Sequence, residues 1–139
     1  MAGALALSPD ARSTAGVLLL TMVAIESGGW FMLQILRGRQ PATSFQQAFF
    51  RAGHAHAGVL VILALVSQIL ISAAHLTGPL GFFAGNGIWA AAVLMSAGFF
   101  LSAAGKNVTR PNRFIVVLYL GAVSLAVGVV SLGLGLLAG

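Results

Sequence analysis

Long runs of apolar residues dominate the chain, and short polar connections separate them. Four such runs cover about residues 14–36, 48–73, 81–104 and 113–138. Each run reaches the roughly 20 residues that a helix needs to cross the hydrocarbon core of a bilayer. None shows the strict alternation of apolar and polar residues that is typical of membrane β-strands. The pattern therefore predicts an all-α fold, a four-helix transmembrane bundle that forms a single domain over residues 1–139.

The composition supports a membrane location. The chain is 59% hydrophobic and only 6% charged, and its mean hydropathy is +1.02. Soluble domains carry about 25% charged residues, so this chain has too few to cover a water-facing surface. We predict an integral membrane protein in contact with the lipid bilayer, located in a bacterial cytoplasmic membrane. The chain has no cysteine, which excludes disulfides, thiolate metal sites and cysteine catalysis.

The basic residues predict an orientation for the bundle. Seven Lys and Arg residues oppose only Asp10 and Glu26, which gives a formal net charge of +5. A basic excess can indicate nucleic-acid binding, but these residues concentrate in short connections, as the positive-inside rule describes. We therefore expect no nucleic-acid partner, cytoplasmic first and third connections, and both termini and the middle connection outside. The basic residues that specify this orientation are Arg37, Arg39, Arg51, Lys106, Arg110 and Arg113.

Small residues recur along the fourth apolar run at spacings of three and four. In lipid, small residues allow the backbones of two helices to approach closely. The stripe predicts either packing against helix 1, 2 or 3 of the same chain or a contact between protomers. We accordingly expect a homo-oligomer or a subunit of a larger membrane complex. The stripe consists of Gly121, Ser124, Gly128, Ser131 and Gly135.

Glu26 is the one acidic residue inside an apolar run. It lies about ten residues from either end of the first run, which places it roughly 15 Å from each boundary at 1.5 Å per residue. A charge at that depth costs at least about 2.5–3.5 kcal/mol, and an intramembrane acid is a functional hypothesis by default. We therefore predict that Glu26 is buried and either protonated or close to a donor or cation. The alternative role is a neutral carboxyl that bridges two helices.

The stretch FFRAGHAHAGVL (49–60) brings Arg51, His54 and His56 to the beginning of the second helix. At about 100° per residue, Arg51 and His54 share a helix face, whereas His56 points about 160° away from His54. The two histidines therefore cannot chelate one ion together, and HAH is not a specific metal motif. Antiparallel packing of the first two helices would bring a histidine to the level of Glu26. Which histidine meets the carboxyl depends on the rotation of the second helix, so both stay open.

The segment HAHAG resembles, at two positions, the motif that begins the second helix of the membrane glutathione and eicosanoid enzymes known as MAPEG. Ala55 and His56 match that RAHxN-type motif. His54, Gly58 and Val61 stand where the family has Arg, Asn and Glu. The resemblance implies a four-helix protein with outside termini, and no functional residue transfers from it.

Three classes of function are open to such a chain. The first is a channel, transporter or membrane-complex subunit that handles protons or cations through Glu26, His54, His56 and Arg51. Histidine changes charge near neutral pH, so a Glu–His pair could relay a proton. The second class is a membrane-embedded enzyme or redox protein that binds a lipophilic substrate, a quinone or haem against the second helix. The third is a structural accessory subunit. We favour the first class as the leading hypothesis.

The chain lacks the motifs of several catalytic classes. It contains no GxGxxG, P-loop, GxSxG or HExxH sequence. With one membrane acid, two-carboxylate catalysis is not expected. Whether the chain is an enzyme stays open, and a non-enzyme is the favoured prediction. A metal site would need Glu26 together with His54 and His56 from different helices or protomers. The cofactor is unknown at this level, with haem as a candidate because buried histidines can ligate iron.

Overall fold

The computed structural model of the chain describes residues 7–138 and forms four α-helices. No strand occurs within that range. All four helices are long and apolar enough to cross a membrane. The predicted four-helix fold is confirmed, and it indicates a small membrane protein. The helices are α1 (Pro9–Leu36), α2 (Ser44–Ala73), α3 (Gly78–Ser102) and α4 (Ile115–Ala138).

Two helices begin four or five residues before the apolar runs do, because polar side chains cap them. The Oγ of Ser8 accepts a hydrogen bond from the Ala11 N–H at 3.2 Å, and Pro9 occupies the first turn of α1, where its missing N–H does no harm. Thr43 and Gln46 form a capping box at the start of α2, each side chain bonded to the other residue's N–H at 3.1 Å. Capping satisfies free N–H groups that would otherwise stay unpaired.

The helices pack in the order in which they occur in the sequence. The extensive contacts are those of α1 with α2, α2 with α3, and α3 with α4. Successive helices run antiparallel because their connections are short. Only 6% of the most apolar stretch of α1 is buried, against 28% in α2 and α3 and 22% in α4. The first helix is therefore the least covered element, and α3 lies in the centre of the bundle, where Ile88 is fully buried.

Glycines set the close approach of α3 and α4. A Cβ added to Gly98 would lie 2.4 Å from the backbone N of Leu118, and one added to Gly87 would lie 2.8 Å from the Cα of Gly128. Since no real Cβ tolerates such distances, only glycine fits at these two positions of α3. The backbones of the two helices are in direct contact, which is how packing stabilises helix pairs in lipid.

The small-residue stripe of α4 faces α3 of the same chain. Ser124 donates a hydrogen bond through its Oγ to the carbonyl oxygen of Gly87 at 2.8 Å. A Cβ on Gly121 would meet the backbone N of Met95 at 2.7 Å, and Gly128 likewise touches α3. Further along α4, Ser131 and Gly135 are also buried, and α3 and the preceding connection cover the stripe.

The first and third connections meet at one end of the bundle. The hydroxyl of Thr43 donates a hydrogen bond to the carbonyl oxygen of Val108. The Gln46 amide donates to the carbonyl oxygens of Ala103 at 3.0 Å and Gly105 at 2.9 Å. This end therefore gathers six of the seven basic residues of the chain, and only Arg12 lies at the other end.

Candidate functional site

Glu26 lies on the surface of the bundle, and the predicted burial of this residue is wrong. Its side chain is exposed on the outward face of α1. The neighbouring Ile25 packs against the core formed with α2, and one residue further the helix has turned about 100° away from that core. Among residues 7–138 no side chain or backbone group forms a hydrogen bond or ion pair with the Glu26 carboxyl. The buried Glu–His site expected from the sequence is therefore absent from the part of the chain that the structure describes.

His54 packs against a pair of glycines on α1. A Cβ added to Gly28 would lie 3.2 Å from the Nδ1 of His54, and one added to Gly29 would lie 3.4 Å from its Cε1. The glycine pair thus leaves room for the imidazole ring between the two helices. His54 is half-buried, and its ring forms no hydrogen bond within the described range. Of the two histidines, His54 is the one at the seam with α1, where its ring faces Gly28 and Gly29.

His56 lies on the other side of α2. Its Nδ1 is 2.8 Å from the carbonyl oxygen of Ala52, and its ring centroid is 4.9 Å from that of Phe99 on α3. The two histidine rings therefore diverge. Within residues 7–138, no three His, Asp or Glu side chains lie close enough together to hold a metal ion. Glu26, His54 and His56 do not form one site within the described chain.

Arg51 lies at the edge of the bundle, with an exposed side chain. Phe50, beside it, points inward and contacts two rings, those of Phe31 and Phe100, at centroid distances of 5.5 and 5.4 Å. A Cβ on Gly53 would lie 2.9 Å from Phe100, so glycine is needed where α2 crosses these rings. The charged stretch thus presents a phenylalanine layer to the core and keeps the Arg51 guanidinium at the surface, as a snorkelling side chain does.

A cavity of about 330 Å³ opens between α1, α2 and α3. Apolar side chains and glycine form most of its lining, including Val61 on α2 and Trp89 on α3. The Trp89 indole N–H is already directed to the Oδ1 of Asn86 at 3.3 Å. Three other lining residues carry polar side-chain atoms: Thr21, His54 and Ser96.

Two of these three polar groups have no hydrogen-bond partner within the described range. Thr21 donates its hydroxyl proton to the carbonyl oxygen of Leu18 at 2.6 Å. The Oγ of Ser96, in contrast, is buried and has no partner, and His54 also lacks one among residues 7–138. Gly53, next to His54, contacts Phe100, which lies one helical turn from Ser96. The imidazole of His54 and the hydroxyl of Ser96 therefore lie at a similar height in the bundle, on two residues that line the cavity, and the Ser96 oxygen itself is covered.

A second cavity of about 240 Å³ adjoins the first and shares Val17, Leu18 and Trp89 with it. Its other lining residues include Ser13 on α1 and Asn86 on α3. We call the two cavities together the groove. It runs between α1 and α3, with His54 and Ser96 towards one end and Asn86 towards the other.

Sequence reasoning did not identify Ser96 or the glycine pair as parts of a site. The signals available were weak, because a lone serine in an apolar helix commonly bonds its own backbone. Gly28 and Gly29, next to each other inside an apolar run, were a better indication of a close neighbour. Their partner was recognisable only from the pairing of α1 with α2.

Comparisons with protein-family models, with curated proteins and with solved structures found no match to this chain.

Proposed function

We propose that the chain binds a lipophilic small molecule in the groove, from within the membrane, and that the ligand carries a hydrogen-bond-accepting headgroup such as a quinone carbonyl. The buried Ser96 hydroxyl is the observation that carries this proposal. Among residues 7–138 this covered oxygen has no partner, and Ser96 is one of the few polar residues that line an otherwise apolar cavity. Ligand sites are commonly of this kind, apolar concavities with a few convergent polar groups.

The polar groups of the groove favour an acceptor on the ligand. A buried donor without a partner costs about 1–3 kcal/mol, and a ligand carbonyl would recover much of that energy. Ser96 supplies an O–H, and a neutral imidazole at His54 supplies one N–H. The Thr21 proton is already bonded to Leu18. A headgroup with one or two carbonyl oxygens therefore matches the groups that are free.

The groove supports ligand binding better than it supports proton or cation handling. The latter hypothesis requires Glu26 to exchange a proton or cation with His54 or His56. Glu26 is exposed on α1, and His54 faces Gly28 and Gly29. Haem ligation by both histidines would require both rings on one side of α2, whereas His56 faces Phe99. Both hypotheses stay predictions without a contact in their favour.

Tryptophan fluorescence can test the proposed binding. Trp89 lines the groove, and the other tryptophan, Trp30, lies on the exposed side of α1. In a Trp30→Phe background, a benzoquinone with a ten-carbon tail should quench the Trp89 emission of the purified protein to saturation. We expect Ser96→Ala to weaken the apparent affinity about fivefold, the effect of one ordinary hydrogen bond.

Ser72 offers a matched control, because its Oγ is also buried and without a partner in the described part of the chain, and Ser72 lines neither cavity of the groove. Ser72→Ala should leave the affinity for the quinone unchanged. Equal affinities of the native protein, Ser96→Ala and Ser72→Ala would contradict the proposal. Decylbenzene, which has a similar tail and no carbonyl, should compete poorly. If it competes as well as the quinone, the groove accommodates any alkyl chain and the headgroup assignment fails.

We further propose that the end of the bundle with the first and third connections faces the cytoplasm. The positive-inside rule supports this orientation, because basic residues in short connections stay on that side. The contacts of Thr43 with Val108 and of Gln46 with Gly105 bring both connections to one end. Labelling of single cysteines at Arg39 and Thr77 by an impermeant maleimide in intact cells tests it, with labelling expected at residue 77 only.

A further inference from the structure

Glu26 has no partner within the described chain, although it lies well inside a helix that is long and apolar enough to span a membrane. Exposed apolar side chains on such a helix need no explanation, since lipid covers them. An exposed carboxyl does, because lipid tails offer it no hydrogen bond. We propose that α1 pairs with α1 of a second copy of the chain, so that the two Glu26 carboxyls hydrogen-bond to each other.

The residues around Glu26 form a stripe suited to helix pairing. Leu19, Val23, Glu26 and Trp30 follow one another at spacings of four, three and four residues. All four are exposed, Leu19 by 59%, Val23 by 72% and Trp30 by 60%. With this spacing, the residues stay in contact along the whole interface between two helices that cross at a small angle in a left-handed supercoil. We call these four residues the α1 stripe.

The α1 stripe and the groove use different sides of α1. Gly28 faces His54 and lines the groove. Glu26, two residues before it, lies about 160° further round the helix at 100° per residue. A second copy seated on the α1 stripe therefore leaves the groove open, and the inference does not depend on the proposed ligand.

The chemistry of the carboxyl favours a second copy over a different protein. A two-fold contact between parallel identical helices sets a residue that lies at the axis opposite its own copy. A protonated carboxyl offers one O–H donor and one carbonyl acceptor, so two of them satisfy each other with two hydrogen bonds. The chain's Lys and Arg residues lie in the connections and towards the helix ends. A second copy in the same orientation thus brings no cation to this depth, and the carboxyl pair is the complementary arrangement.

The alternative oligomer contact, the small-residue stripe of α4, is already occupied. Gly121 and Gly128 lie against the backbone of α3, and Ser124 is bonded to Gly87. The least covered helix is α1, where only 6% of the most apolar stretch is buried. The face available for a second copy is therefore on α1.

Disulfide cross-linking can test the pairing, because the native chain has no cysteine. Val23→Cys places a thiol on the α1 stripe without removing Glu26. Ala24→Cys places one at nearly the same depth on the side of the groove and serves as the matched control. In oxidised proteoliposomes that contain only this protein, we expect Val23→Cys to form dimers at least about fivefold more efficiently than Ala24→Cys.

Substitutions of Glu26 in the Val23→Cys background then test the carboxyl. Glu26→Gln should keep about half or more of the cross-linking, since an amide also donates and accepts. Glu26→Leu, which suits lipid but cannot hydrogen-bond, should reduce it about fivefold. Equal cross-linking by Val23→Cys and Ala24→Cys, or full cross-linking after Glu26→Leu, would overturn the proposal. Cross-linking only to a different protein in native membranes, with none in the proteoliposomes, would overturn it as well.

Discussion

The helices α1 and α4 lie at opposite edges of the packing order, yet the protein holds them by different means. Backbone touches backbone between α4 and α3, at Gly87, Gly98 and Gly128. The closest approach of α2 to the glycine pair of α1 is made by a side chain, the His54 ring. Both helices are apolar enough to span a membrane. Hydropathy therefore determines that a helix lies in the membrane. How tightly the helix packs there depends on whether small residues let its backbone approach that of a neighbouring helix.

This difference bears on function. The groove lies between α1 and α3. On one side, α1 is held by side-chain contacts that can adjust. On the other side, α3 packs directly against the backbone of α4. The proposed ligand site and the proposed α1 pairing both use the loosely held helix. We therefore expect substitutions at the α3–α4 seam to change stability and those at the α1–α2 seam to change binding.

The largest effect is expected at Gly98. Gly98→Ala places a Cβ 2.4 Å from the backbone N of Leu118, and backbone cannot swing aside as a side chain can. We expect the free energy of unfolding to fall by about 2–3 kcal/mol, as overpacking does. SDS titration of the detergent-solubilised protein, followed by helical circular dichroism, measures this loss. Gly133→Ala is the control, because no neighbour from residues 7–138 lies within 4 Å of its added Cβ. Similar losses of stability in both variants would contradict the expected difference between the two seams.

A smaller loss is expected from Gln46→Leu, which tests the tie between α2 and the end of α3. The substitution leaves the carbonyl oxygens of Ala103 and Gly105 without the amide donor that they share. It also removes the side-chain oxygen that accepts from the Thr43 N–H in the capping box. We expect a loss of about 1.5 kcal/mol in the same titration, since the carbonyl oxygen of the buried Ala103 would stay unsatisfied. Gln47→Leu is a suitable control, because among the described residues the Gln47 amide bonds only to the nearby Ala42 carbonyl. Unchanged stability of Gln46→Leu would show that the tie contributes nothing.

Ser124→Ala isolates the polar contribution to the α3–α4 seam. It removes the 2.8 Å hydrogen bond to Gly87 and keeps a small side chain at the contact. Hydrogen bonds between membrane helices average about 0.6 kcal/mol, and we expect a loss of that size in the unfolding titration. A loss as large as that of Gly98→Ala would mean that hydrogen bonding, rather than close backbone approach, holds α4.

The smallest stability change is expected at the α1–α2 seam. Gly28→Ala places a Cβ 3.2 Å from the Nδ1 of His54, and the ring can give by a few tenths of an ångström. We expect the free energy of unfolding to fall by at most about 0.5 kcal/mol. In a double-mutant cycle, Gly28→Ala should cause no loss of stability when His54 is already replaced by Ala. A loss comparable with that of Gly98→Ala would show that α1 is held as firmly as α4. Quinone affinity, measured in parallel, should respond more than stability does, because His54 lines the groove.

Glu26 and the α4 stripe show where sequence reasoning succeeded and where it could not reach. Spacings of three and four residues placed the small residues of α4 on one face, since helix geometry is local. The same geometry separated His54 from His56. The burial of Glu26 was predicted wrongly, because depth along a helix follows from counting residues, whereas the covered side depends on which neighbour packs there. Two helices begin earlier in the chain than their apolar runs do, which the runs alone do not reveal. The side chains that cap these helix starts are those of Ser8, Thr43 and Gln46.

The number of helices, their lengths and their suitability for a membrane follow from the chain alone, because they depend on apolar length and composition. The groove, the free Ser96 hydroxyl and the outward position of Glu26 arise only when the helices are assembled. Each depends on the rotation of one helix against another, which is set by glycine gaps, ring packing and a few long-range hydrogen bonds. Neither hydropathy nor spacing specifies those contacts, because each contact joins residues that are far apart in the chain and forms only when the helices pack together.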